Sequence, residues 1–128
     1  DIYLSRYING EYTKAINLGD SINTSYARDG YPYIAPDESY IIFSRDNRHF
    51  DETGNLVSGE RKMMISFKGK DDQWQKAIEL GSAYKNTRFP SMTPDGKYFI
   101  FTKYTSANNE DFYWINAKFL HELNINKK

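Results

Sequence analysis

Tyr31-Pro32-Tyr33-Ile34-Ala35-Pro36-Asp37-Glu38-Ser39-Tyr40-Ile41-Ile42-Phe43-Ser44-Arg45 returns later in the chain as Phe89-Pro90-Ser91-Met92-Thr93-Pro94-Asp95-Gly96-Lys97-Tyr98-Phe99-Ile100-Phe101-Thr102-Lys103. Each residue of the second stretch follows its counterpart by 58 positions. Outside this block, Lys14-Ala15-Ile16-Asn17-Leu18-Gly19 is echoed by Lys76-Ala77-Ile78-Glu79-Leu80-Gly81, now 62 positions on. The four-residue difference is an insertion between the two blocks, where loops accept it. A third echo joins Asp1-Ile2-Tyr3-Leu4-Ser5 to Lys62-Met63-Met64-Ile65-Ser66, and more loosely to Asp111-Phe112-Tyr113-Trp114-Ile115. Segments that recur in the same order identify a repeat architecture.

Each unit reads as strands. Tyr40 to Phe43 and Tyr98 to Phe101 are runs of aromatic and β-branched residues with no polar side, the pattern of a strand buried on both faces. Pro36-Asp37 and Pro94-Asp95-Gly96 precede them. Proline presets φ for a type I turn, and the Asp carboxylate accepts a local N–H. Asn9-Gly10 is a strong hairpin signal, and Lys70-Asp71-Asp72 takes its place in the second unit. Four consecutive strands therefore form an antiparallel meander, and only Ala117 to Leu123 reads as a helix. An ordinary β-sandwich explains the strands but not the ordered repeat.

Composition sets limits on function. The chain has 128 residues, 16% of them aromatic, which is too many for a disordered segment. Seventeen basic residues balance seventeen acidic ones, so no overall field gathers nucleic acid or an anionic membrane. The basic residues are scattered along the sequence. A mean hydropathy of -0.77 and the lack of a long apolar run exclude a transmembrane helix. With no Cys there is no disulfide, thiolate metal site or cysteine nucleophile. A start at Asp1, with neither Met nor a signal peptide, reads as a mature or trimmed product.

The Pro-Asp-(Gly/Glu)-(Lys/Ser)-Tyr run, followed by Asp-Ile-Tyr-Leu-Ser and Ala-Ile-Asn-Leu-Gly, resembles the WD40-like β-propeller repeat of TolB-type propellers. The stretch from Asp111 to Leu120 resembles the C-terminal end of bacterial members of that group. Glu38 departs from the family pattern, which has Gly there, so the first turn is open to a different geometry from that at Gly96. The fold expected from the resemblance is all-β, with antiparallel four-stranded blades and a short C-terminal helix. The whole chain, 1–128, is a single propeller portion holding about two blades. In it, 1–18 are the outer strands of one blade, 31–80 a complete blade, 89–117 the inner strands of the next, and 118–128 a tail. A propeller has typically four to eight blades, so the expected partners include remaining blades or further copies of the chain itself. The resemblance further implies an extracytoplasmic bacterial setting, in the periplasm or cell envelope.

In a meander, alternate connections lie at opposite ends of the sheet. The Pro-Asp turns share one rim. The other rim gathers the candidate ligand-binding residues Arg28, Asp29, Asp46, Arg48, His49, Arg88 and Lys103, with Asn108 on a neighbouring loop. The stretch from Asp46 to Glu60 is the longest insertion, and long polar loops on rigid sheets are where binding concentrates. No catalytic constellation is present: there is no Gly-x-Ser-x-Gly elbow and no His-Glu-x-x-His helix. His49 beside Arg48 and Asp51 has the chemistry of an acid, a base or a metal ligand, but a lone loop histidine without a supporting motif reads as a bystander. Asp46, Asp51 and Glu52 lack the spacing of a calcium loop, so no metal and no cofactor are expected. Trp74 and Trp114 are assigned to core or interblade packing rather than to a sugar platform. The expected function is a non-enzymatic binding scaffold for a protein, a peptide or a glycan, without nucleic-acid binding or membrane insertion. The alternative is an accessory propeller of a larger hydrolase or lyase.

Overall fold

The computed structural model of the chain describes residues 1–106 and 109–125; Asn108 and the tail positions 126–128 lie outside the described residues. The N-terminal segment is one bent hairpin of four two-residue strands: β1 (Tyr3–Leu4), β2 (Tyr7–Ile8), β3 (Glu11–Tyr12) and β4 (Ile16–Asn17). β2 pairs with β3 around Asn9 and Gly10, whose φ values of 52° and 88° are those a two-residue hairpin turn demands. β1 pairs with β4, setting Leu4 opposite Ile16. Between these two ladders, Thr13 accepts the Arg6 N–H on its hydroxyl, which interrupts the pairing.

A four-stranded antiparallel sheet follows, made of β5 (Arg28–Ile34), β6 (Tyr40–Asp46), β9 (Arg61–Phe67) and β10 (Ile78–Glu79) in the spatial order β10-β9-β6-β5. The insertion between β6 and β9 folds as well: β7 (His49–Phe50) pairs with β8 (Leu56–Ser58), so the expected loop is a small hairpin standing on the rim. After a short 3₁₀ turn at Ser82–Tyr84, β11 (Thr87–Met92), β12 (Tyr98–Ser106) and β13 (Asn109–Asn116) form a three-stranded antiparallel meander. The chain then enters the short helix α1 (Phe119–Ile125). The protein is thus mostly antiparallel β-sheet with one short C-terminal helix, and the described sheets close into neither a barrel nor a ring.

The two Pro-Asp turns have the same geometry. Glu38 donates its N–H to Ala35 O at 2.8 Å, and Gly96 donates to Thr93 O at the same distance. Glu38 takes up φ 57° where Gly96 has 70°, so the missing glycine does not change the turn. A left-handed conformation costs a non-glycine residue about 1 kcal/mol. The Glu38 side chain offsets that cost through a two-pronged contact with Arg6 at 2.9 and 3.0 Å and a third with Lys68 at 3.0 Å. These bonds also tie the N-terminal hairpin to the central sheet.

The core lies on both sides of the central sheet. Ile41, Phe43 and Met64 pack on Ile2, Ile22 and Ala77. On the opposite face, Ile42, Met63, Ile65 and Phe67 meet Phe99 and Phe101 of β12, sealed by Ala117 and Leu120 from the C-terminal end. The run Tyr40 to Phe43 is therefore buried on both faces, as its apolarity predicts. The run Tyr98 to Phe101 is not. Phe99 and Phe101 turn inward, whereas Tyr98 and Ile100 lie on a face shared with Phe112 and Trp114 that no other described sheet covers. Trp114 is accordingly 65% exposed, stacked edge-on against Tyr98, and lies outside the described core. Trp74 is partly buried beside the Ile2 cluster, as expected.

Candidate functional site

Antiparallel registry brings distant residues together at the rim opposite the Pro-Asp turns. β6 ends at Asp46 where β9 begins at Arg61, and the two residues are direct cross-strand partners. Arg28, the first residue of β5, is paired with Asp46 from the other side. Asp46 is the hub. Its carboxylate accepts the N–H, Nε and Nη2 of Arg48 at 3.1, 2.9 and 2.8 Å, and the Nε and Nη2 of Arg61 at 3.1 and 2.9 Å. Arg28 adds an ion pair at 3.7 Å while its own side chain remains 73% exposed. Burial on its own would raise the Asp46 pKa. The hydrogen bonds from Arg48 and Arg61 outweigh that effect and hold the carboxyl well below the usual range, so it is ionised at neutral pH.

Three arginines on one carboxylate leave a surplus of charge. Arg28, Asp29, Gly30, Tyr31, Ser44, Asp46, Arg48, Phe50 and Arg61 enclose a cleft of about 320 Å³. Arg61 is only 5% exposed, and its Nη1 is a buried side-chain donor without a hydrogen-bond partner. Buried polar groups are nearly always paired, because leaving one unpaired forfeits its hydration. On the cleft's wall, Tyr31 sits at the irregularity between Gly30 and Tyr33 with φ 52°. Phe89, its counterpart in the repeat, has the same φ and lies ring to ring with it at 4.6 Å. Bulky residues rarely adopt such a conformation, and β-bulges that impose it re-aim side chains. Arg48 lies over the ring of Phe50 at 5.2 Å, so the small β7–β8 hairpin supports the guanidinium from outside.

The other sequence-predicted residues divide. Asp29 borders the cleft, but its carboxylate is engaged by Arg45 Nε at 2.6 Å and by the N–H and hydroxyl of Thr24 at 2.7 and 3.0 Å. It therefore anchors the segment before β5. Arg88 is held by Glu110 through two bonds of 2.7 and 2.6 Å and lies over Phe89 and Tyr104. This pairing raises the Arg88 pKa above an already high ordinary value and brings Glu110 down to about 2. His49 is exposed on β7 and borders a shallower cleft with Ser25, Tyr26 and Asn47. Lys103 is not drawn to the cleft; its Nζ reaches Ala83 O at 3.5 Å. Asp51 is occupied with its own turn, accepting from Thr53 and Asn55.

The sequence reading missed Arg61 and Arg45, and it read the basic residues as dispersed. In the fold, Arg28, Arg45, Arg48, Arg61 and Arg88 gather at one rim. The one available signal was registry: pairing Tyr40–Phe43 against Met63–Phe67 places Arg61 opposite Asp46. Among the described residues, no three His, Asp or Glu side chains come together to hold a metal ion. No described helix is long and apolar enough to cross a membrane. No protein-family model matches the chain, and neither a curated protein nor a solved structure matches it.

Proposed function

We propose that the chain is a non-enzymatic binding scaffold built from blades of the WD40-like, TolB-like propeller kind, with its ligand surface on the rim formed by Arg28, Asp46, Arg48, His49 and Arg61. The observation that carries this reading is the cleft: polar side chains from three strands and from Arg48 in the following connection converge on one end of rigid sheets, where binding sites form. The blade reading draws on the repeat and on packing. The first strand of the last sheet, β11, packs against β5, the first strand of the central sheet. The Tyr40–Ile42 face of the central sheet is covered by Phe99 and Phe101, while the equivalent Tyr98–Ile100 face is open to a further sheet, from other blades or another copy. A bacterial extracytoplasmic location follows from the family resemblance alone.

Arrays of peptides and glycans probed with the labelled chain test the binding role. The wild-type chain is expected to retain a defined set of spots, and a variant carrying Arg28→Gln, Arg48→Gln and His49→Ala is expected to lose them. Retention of the same spots by the folded variant, or no retained spot with the wild type, contradicts the reading.

A further inference from the structure

The rim cleft is specific in chemistry as well as in place. Lining it, three guanidiniums (Arg28, Arg48 and Arg61) meet two carboxylates (Asp29 and Asp46), an excess of one positive charge, and the Asp29 carboxylate is itself paired with Arg45. Asp29 is saturated by Arg45 and Thr24, and Glu110 by Arg88 and Thr102. Asp46 already accepts hydrogen bonds from Arg48 and Arg61 and pairs more loosely with Arg28. None of the three offers an oxygen to Arg61 Nη1, which is buried and unpartnered behind the part of Arg61 that lines the cleft. Arg28 stands opposite, tethered only by its 3.7 Å ion pair.

We infer that the cleft is an anion subsite that takes a compact oxyanion, a phosphate or carboxylate group carried by a small molecule. This assignment rests on the rim being the binding surface and names the chemistry of its ligand. An oxyanion accepts from Arg28, whose guanidinium is exposed and tied only by a 3.7 Å ion pair, and it neutralises the surplus charge of Arg28, Arg48 and Arg61 in a partly desolvated place where that charge is most costly. Arg28 closes over it from the solvent side, because an exposed guanidinium can reorient to offer two parallel donors. A cation is repelled, and a neutral ligand leaves the excess in place. The volume of about 320 Å³ matches a small molecule. Tyr31 and Phe50 give the group that bears the anion two rings to lie against.

Isothermal titration of the whole chain with sodium phosphate and, separately, with sodium citrate tests the inference, each against sodium chloride of equal ionic strength. Saturable one-site binding of at least one of them is expected. Arg28→Gln should weaken it at least tenfold with the urea midpoint unchanged, and Arg61→Lys should weaken it by as much. Tighter phosphate identifies a phosphate group as the natural anion, and tighter citrate a carboxylate. Absence of saturable binding by both overturns the inference, as does an Arg28→Gln protein that binds as well as the wild type. Rim-dependent spots on the arrays with flat titrations overturn the anion assignment and leave the binding surface standing. Flat titrations with no rim-dependent spots remove both.

Discussion

The two ends of the sheets are built on opposite plans. At the turn end, the Asp carboxylates bond locally: Asp37 binds Ser39, and Asp95 binds Thr93 and Lys97, each two residues away in sequence, while Glu38 reaches across to Arg6 and Lys68. At the arginine end, partners come from 15 and 22 residues away, Asp46 with Arg61 and Arg88 with Glu110. One donor there is left over. The turn end spends its polar groups on its own geometry and on tying in the N-terminal hairpin. The arginine end holds the fold through Asp46 and also keeps a surplus of cationic donors, the feature on which the proposed anion site rests.

The largest expected effect is at Asp46. Asp46→Asn leaves a buried Arg61 facing Arg48 with no carboxylate between them. Stranding a buried charge in this way costs about 3 kcal/mol, read as a lower urea midpoint. The loss should be smaller in phosphate than in chloride of equal ionic strength, since an anion in the cleft replaces part of the missing charge. A loss identical in both salts would separate the stability role of Asp46 from the cleft.

Glycines at the two ends come next. Gly59 has φ 81°, and a Cβ there would fall on the carbonyl of Asn47. Gly59→Ala should therefore destabilise by about 2 kcal/mol or more, combining strain with a backbone collision. Gly96 has φ 70° with open space around it, so Gly96→Ala should cost about 1 kcal/mol. Equal losses would mean that the hairpin base is as yielding as the turn.

Acid gives the smallest and most graded contrast. Glu38 at the turn end and Glu110 at the arginine end each have a folded-state pKa of about 2 against an ordinary 4.5. A depressed carboxylate stabilises the fold above its unfolded value and loses that contribution as pH falls toward the folded one. Urea midpoints should therefore decline between pH 4.5 and 2. Glu110→Gln should flatten that decline more than Glu38→Gln, because solvent screens the more exposed pair at Glu38 more strongly. The reverse order would place the stronger pairing at the turn end.

The same contrast explains what could be read from the sequence. The Pro-Asp turns, the Asn9-Gly10 hairpin and the meander were legible because their signals lie within a few residues of one another. Arg28, Asp46 and Arg48 were legible as rim residues, since alternation of connections fixes which end they occupy. Arg61 was hidden because its place depends on registry across β6 and β9, and nothing in Glu60-Arg61-Lys62 marks it apart from any charged strand start. Lys103 was named from the same rim logic, yet neighbouring residues on one strand point to opposite faces. Which kind of packing Trp114 serves was not legible, because the face opposite Phe99 is as apolar as a buried one, and sequence does not say which apolar face has a neighbour.

Arginine side-chain nitrogen NMR during a phosphate titration addresses the division between the two ends most directly. The account expects the resonances of Arg28 and Arg61 to move along one saturating curve, while Arg6 and the backbone amides of the turns at 35–38 and 93–96 stay still. Shifts spread evenly over all arginines, Arg6 included, or no shift at Arg61, would contradict it.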